Sequence, residues 1–243
     1  ARWMVKEEGP ANMATMQTKP IEAYYWSTPN GRKMTGMLEE LGVPYETIFV
    51  DIGKGDQWTP AFEAVSPHHQ IPAIRDPEGP GGEPIAIAES GAILMYLGRK
   101  FGRFYPQDDE RRRVAVEQWL MFQMGSFGPF LGQAHHFNLS AKEEIPYAIE
   151  RYAIIAGRLY DTLDRQLQGQ EFVAGDYSIA DIALYCWAAR HIRHRIHLPD
   201  YPEVHRWFEA IGERPAVRRG MAVVKPGVVD VAEPTPAWKR AAG

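Results

Sequence analysis

Apolar positions divide this 243-residue chain into two regimes. In the first, from Ile21, the period switches repeatedly. Ile21-Glu-Ala-Tyr-Tyr25 alternates as a strand does, and Gly31 to Leu41 carries Met34, Met37, Leu38 and Leu41 at helical spacing. A second strand is expected at Tyr45 to Val50, a short helix after the Thr59-Pro60 start signal, and two short strands at Ile71-Pro-Ala-Ile74 and Pro84-Ile-Ala-Ile87. Asp76-Pro-Glu-Gly-Pro-Gly-Gly82 between them is a loop by composition. A helix capped by Ser90 follows, with Ile93, Leu94, Leu97 and Phe101 recurring at helical spacing. The order βαβαββα implies a small mixed sheet covered by helices.

In the second regime, after the turn-rich Gly102 to Asp109, helical periodicity takes over. Helices are expected over Glu110 to Met124, Ser140 to Gln168, Ser178 to Arg193 and Pro202 to Arg214. Ser178-Ile-Ala-Asp181 has the shape of a capping box with Asp in the acid position. The expected organisation is an α/β domain over 19–103, a linker at 104–110, an all-helical domain over 111–230 and a surface tail at 231–243. Residues 1–18 show no periodicity and read as a tag or disordered stretch ahead of a native start at Met13 or Met16.

Composition narrows the function. A formal charge of −4 argues against nucleic acid as the main partner. No apolar stretch approaches a membrane span and no secretory leader is evident, so a soluble, cytoplasmic protein is expected. The single cysteine, Cys186, excludes an internal disulfide, a C-x-x-C redox centre and a cysteine-based zinc site. Thiol chemistry here must borrow its sulfur from a ligand.

Four features carry chemistry, each with a plainer alternative. Ser27-Thr-Pro-Asn-Gly31 lies between the first strand and first helix. Thr28 or Asn30 is a helix cap, or the helix start holds an anion such as a thiolate. Ile71-Pro72 marks an edge strand, or a cis-proline turn that frees the Ile71 backbone to pair with an extended peptide. Glu89-Ser90 is a helix cap beside an acid, or recognises an α-amino-acid head, the carboxylate holding an ammonium and the hydroxyl a carboxylate. Arg151, on the long helix, is solvated or reaches a ligand.

In this order, inside a βαβαββα unit followed by helices, the four features resemble a glutathione transferase. Thr28-Pro-Asn-Gly31, Asp51-Ile-Gly-Lys-Gly55 with Gln57, Gly128-Pro-Phe-Leu-Gly-Gln133, His135-His-Phe-Asn138 and Ile145-Pro-Tyr-Ala-Ile-Glu-Arg151 resemble the bacterial Nu class, related to the fungal nitrogen-regulatory prion domain. The resemblance implies a thioredoxin-like N-terminal domain and an all-helical C-terminal domain. It also implies a homodimeric, glutathione-dependent disulfide reductase that uses no protein cysteine and binds one or two glutathiones, or glutathione disulfide. By the same resemblance, Thr28 and Asn30 act at the sulfur, and Gln57, Ile71 and Pro72 lie along the peptide. Glu89 and Ser90 hold the γ-glutamyl end, and Arg151 joins from the helical domain. Tyr25 and Ser27 lie close enough to be considered for thiol activation. Gln70 stands where relatives often carry lysine.

The glutathione thiol, with an ordinary pKa of about 8.5, would be held as thiolate by the Thr28 hydroxyl, the Asn30 amide and the helix-start N–H groups. It would attack a disulfide, and a second glutathione would resolve the mixed disulfide. The second substrate is expected between the domains near Phe127, Phe130, His135, His136 and Phe137, although core packing is an alternative for phenylalanines at this spacing. His191, His194 and His197 are not expected to bind metal, since i, i+3, i+6 spacing drifts around a helix. A solvated basic helix end is expected instead. Conjugation at an electrophilic carbon and non-enzymatic glutathione binding are the alternative functions.

Overall fold

The structure, a computed structural model, describes residues 17–228. The first domain is a four-stranded sheet in the order β2-β1-β3-β4, with β1 at Ile21–Tyr25, β2 at Tyr45–Phe49, β3 at Ala73–Asp76 and β4 at Ile85–Ala88. β1 pairs parallel with β2 and antiparallel with β3, and β3 pairs antiparallel with β4. The alternation in β1 sends Ile21, Ala23 and Tyr25 into the main core. Tyr24 turns to the other face and packs with Val50, Phe62, Val65 and Ala73. The strand expected at Ile71 begins two residues later, after Pro72, which has no N–H for the ladder.

Helix α1 (Pro29–Leu41) is capped by Thr28, whose Oγ1 accepts from Gly31 N at 3.1 Å, and carries proline at its first position. It is buried on nearly every side, because it packs on the sheet and α3 (Ser90–Phe101) and also against the helical domain. Between β2 and β3 lie a 3₁₀ turn at Asp56–Trp58 and the short α2 (Pro60–Glu63).

The helical domain holds α4 (Glu110–Phe122), α5 (Gly128–His135), α6 (Pro146–Leu167), α7 (Ile179–Ala188), α8 (Pro202–Gly212) and α9 (Pro215–Ala222). α4 runs into α5 through a π-helical turn at Gln123–Phe127, and a second follows at His136–Ser140. The long helix expected from Ser140 therefore starts at Pro146, where proline sets the first turn. The capping box is present: Ser178 N–H donates to Asp181 Oδ2 at 3.0 Å and Ser178 Oγ accepts from Ala180 N at 3.3 Å. Asp181 is fully buried and also accepts from Val173 N and Trp207 Nε1. An interdomain clamp joins Glu40 of α1 to Arg214, whose Nε and Nη2 lie 2.6 and 2.9 Å from the carboxylate.

Two expectations are corrected. The Arg190–His197 run is not a solvated helix end: α7 stops at Ala188, a short 3₁₀ turn spans His191–His194, and Arg190 and His194 are buried. Arg195, left-handed at φ 61°, ends that turn. Gln17 and Thr18 are not outside the fold, since Gln17 bonds Asp76 and Lys100, and Thr18 bonds Glu78. The rest of the 1–18 stretch and the 231–243 tail lie outside the described residues. After α9 the chain returns to the first domain, where Val223 O accepts from Tyr25 Oη at 2.7 Å and Lys225 lies 3.7 Å from Asp51. Among the described residues no helix is long and apolar enough to cross a membrane, and no group of three His, Cys, Asp or Glu could hold a metal.

Candidate active site

The turn from β1 into α1 sets up a small donor array. Pro29 has no N–H, and Gly31 N–H is taken by Thr28 Oγ1, so the helix start offers only the Asn30 N–H. The Thr28 hydroxyl accepts that bond and keeps its own proton. Asn30 Oδ1 accepts from Trp187 Nε1 of α7 at 2.9 Å, leaving its amide hydrogens unused among the described residues. Of the neighbouring hydroxyls, Tyr25 is committed: it is fully buried and donates to Val223 O, and burial raises its pKa. Ser27 Oγ accepts from Arg32 Nη2 at 3.0 Å and, like Thr28, keeps its own proton.

At the start of β3 the Ile71-Pro72 peptide is cis. Neither Ile71 N–H nor its C=O takes a hydrogen bond among the described residues, so both are available to an extended ligand. Gln57 lies on the 3₁₀ turn at Asp56–Trp58. Its Oε1 is buried without a partner, a position a ligand N–H would satisfy. His69 bonds the Gln57 carbonyl at 3.0 Å and lies against the Trp58 ring, which stiffens this wall.

The entry to α3 is strained. Glu89 has φ 72° and ψ 115° yet carries a side chain, and its carboxylate is exposed, 3.2 Å from His68 Nε2. Ser90 is buried; its Oγ accepts from Lys33 Nζ at 3.2 Å and donates only to Met124 Sδ at 3.7 Å, a weak acceptor that a carboxylate would displace. The free N–H groups of the first turn of α3 lie beside it. An exposed carboxylate next to a hydroxyl and a helix N-terminus suits a zwitterionic amino-acid head.

Residues 28–100 match the family model of the glutathione S-transferase N-terminal domain, and residues 134–215 match that of the C-terminal domain. The chain is 48% identical over 207 residues to the disulfide-bond oxidoreductase YfcG of Escherichia coli (strain K12), a match covering 84% of this chain and 95% of that protein. The chain belongs to the glutathione S-transferase family. A Burkholderia graminis glutathione transferase with two glutathione molecules bound per subunit aligns with this transferase at TM-score 0.81 and 41% identity, over 86% of this chain and 90% of that one. One from Pseudomonas putida, with one glutathione disulfide bound per subunit, aligns at TM-score 0.79 and 41% identity, over 88% and 94%. The family and fold expected from the sequence are those found.

On the helical side, this transferase corrects one pocket assignment. Phe127 is fully buried between Phe122 and Tyr160, so it is core and lines no open pocket. Phe130 and His136 are exposed, and His135 is half-buried. Phe137 stacks on Tyr152 at 5.5 Å. Arg151 is exposed on α6 and makes no hydrogen bond or ion pair among the described residues. A cavity of about 820 Å³ opens elsewhere, at the far end of α3 beside Glu78, Tyr96 and Arg99. Its Lys100 is neutralised by buried Asp76, and it shares no residue with the donor array.

Periodicity gave no sign of two residues at this site. Lys33 is fully buried in α1 with Ser90, Gln123 and Met124 as its partners and no carboxylate, and burial pushes its pKa down to about 7. Trp187 reaches Asn30 from the other domain. The available signal for Lys33 was its place four residues before Met37, on the same side of α1.

Proposed function

We propose that the protein is a glutathione-dependent disulfide reductase of the Nu type, in which the protein supplies no thiol. The observation that carries this reading is a donor array at the β1–α1 turn with no sulfur in it. The lone cysteine, Cys186, is buried in α7, where burial pushes its pKa up to about 12. Two glutathione thiols give up two electrons and two protons to a disulfide, yielding glutathione disulfide and two product thiols.

Bound glutathione supplies the attacking thiolate; the chain's own residues bind and orient it. The Thr28 hydroxyl and the Asn30 N–H and side-chain amide donate to the sulfur and favour its charged form without a base. The Ile71 N–H and C=O pair with the cysteinyl backbone after cis-Pro72, and Gln57 holds the peptide further along. Glu89 takes the γ-glutamyl ammonium, and Ser90 with the α3 N–H groups takes its carboxylate. Arg151 meets a glutathione carboxylate from α6, and Phe130, His135 and His136 border the second-substrate pocket. The unpaired Ile71 backbone, the orphan Gln57 oxygen and the weakly held Ser90 proton all support a peptide ligand here. Occupancy by two glutathiones, or by one glutathione disulfide, belongs to the same reading, with support from the two bound relatives. So does a homodimer, for which Val114 and Met121, exposed seven residues apart on α4, offer an apolar stripe. A cytoplasmic setting, where glutathione is kept reduced, completes it.

The test is reduction of hydroxyethyl disulfide with glutathione, coupled to glutathione reductase, beside conjugation of an aryl halide. Reduction well above conjugation is expected. Conjugation without reduction overturns the reading in favour of attack at carbon, and bound glutathione without either activity overturns it in favour of a binding protein.

A further inference from the structure

We propose that Trp187 is a positioning residue for the sulfur step: its indole N–H fixes which end of the Asn30 amide faces the thiol. The inference rests on the reading that Asn30 donates to the glutathione sulfur. An amide side chain can turn over, presenting either its oxygen or its NH2 group, and only the NH2 stabilises a thiolate. An indole nitrogen is a donor only. Trp187 Nε1 lies 2.9 Å from Asn30, so the atom facing it is Oδ1, and both Nδ2 hydrogens are left for the opposite side. An amide turned the other way would set donor against donor at Trp187 and aim an oxygen at the thiolate.

The indole is itself held. A Cβ at Gly132 would stand 3.2 Å from its Cη2, so this glycine lets the α5 backbone lie against the ring. At Gly128, on the same helix, a Cβ would instead meet the Gln123 amide at 2.6 Å. Buried His194 stacks on the same indole, with centroids 6.1 Å apart and planes 23° apart, and Trp187 itself is only 9% exposed. A residue of the helical domain, clamped from two elements, thus sets the orientation of a thiol-binding group in the first domain.

The experiment compares wild type, Trp187→Phe, Asn30→Ala and the double variant, each checked for folding by circular dichroism. The phenyl ring removes the N–H and is also smaller than the indole, so the folding check and an unchanged KM separate the lost donor from the lost packing. The readouts are ultraviolet titration of the thiolate in the binary glutathione complex, and KM and kcat in disulfide reduction against pH. Trp187→Phe should raise the bound-thiol pKa by about one unit and lower kcat at neutral pH about tenfold, with the glutathione KM changed less than twofold. In the Asn30→Ala background it should add nothing, as coupled residues do. Gly132→Ala, which crowds the indole without touching its N–H, should move the pKa the same way by less.

A folded Trp187→Phe that titrates like wild type, or effects of the two substitutions that add in full, overturns the inference while leaving the role of Asn30 intact. A wild-type complex whose thiol keeps the pKa of free glutathione overturns the role of Asn30 and the inference together.

Discussion

Glu89 holds a backbone conformation that a side chain resists, and the proposed site explains why a side chain stands there. At φ 72° and ψ 115° it sits in a region worth about 1–3 kcal/mol of strain for any residue but glycine. Its one ion pair among the described residues, to His68, joins groups 58% and 39% exposed and is worth at most a few tenths of a kcal/mol. Glu89→Gly relieves the strain but loses that contact, and it costs about 0.5–1 kcal/mol in unfolded-chain freedom. The strain outweighs both losses. The variant should be about 1 kcal/mol more stable than wild type, or about 2–4 °C higher in Tm at this chain length.

Glu89→Ala keeps the left-handed strain and loses the contact, so it should fall slightly below wild type. Both variants lose the carboxylate that meets the ammonium, a charged hydrogen bond worth about 1.5–3 kcal/mol, and should bind glutathione about 10- to 100-fold more weakly. Urea unfolding gives the stabilities and titration calorimetry the affinities. Opposite movement of stability and affinity in Glu89→Gly marks a residue held in strain for its ligand. A glycine variant less stable than the alanine variant would refute the strain, and wild-type affinity in either would refute the contact.

Lys33 carries a pH dependence of its own. Its native pKa lies near 7 against 10.5 when exposed, so between those values the unfolded chain binds the proton that the native state releases, and this group makes stability rise with pH across that window. Lys33→Met should flatten that rise in Tm measured from pH 7 to 10; an unchanged slope contradicts it. Asp181→Ala strands the Val173, Ser178 and Trp207 N–H donors in a fully buried site and should cost about 4 kcal/mol or more in chemical denaturation, whereas a loss under about 2 kcal/mol would show that the α7 cap can be replaced by solvent. Cys186→Ala should keep disulfide reduction within about twofold of wild type, since the buried thiol meets no substrate; a collapse of activity in a folded variant would move the chemistry onto a protein sulfur.

Local chemistry was legible in the chain wherever a residue acts on its sequence neighbours. Ser178 and Asp181 announce their cap because they are three residues apart on one turn, and Thr28 announces the start of α1 for the same reason. Cis-proline at Pro72 was one of two options that the sequence left open, and the structure chooses it. What failed was any inference from one-sided burial. α1 is enclosed by the sheet on one side and by α7 and α9 on the other, so its lysine is as hidden as its methionines. The Phe127 error has the same root, since an aromatic on a helix at a domain boundary can face the cleft or the core, and periodicity does not choose.

Trp187 was invisible for a related reason. Every residue of α7 from Ile179 to Ala188 is buried, so its sequence shows no face, and nothing local sets the tryptophan apart from Leu184 or Tyr185. Its partner lies 157 positions earlier, in the other domain. The histidine run misled by the opposite route: its polar composition suggested solvent, but contact with that same tryptophan draws His194 inside and leaves its ring nitrogens without partners. The first domain's signals sufficed to point to a peptide-binding turn because strand, turn and helix start are contiguous there. The orientation of the donor in that turn comes from side-chain packing between domains, where α5 contributes the absence of a side chain at Gly132, and an absence has meaning only once the ring it accommodates is in place.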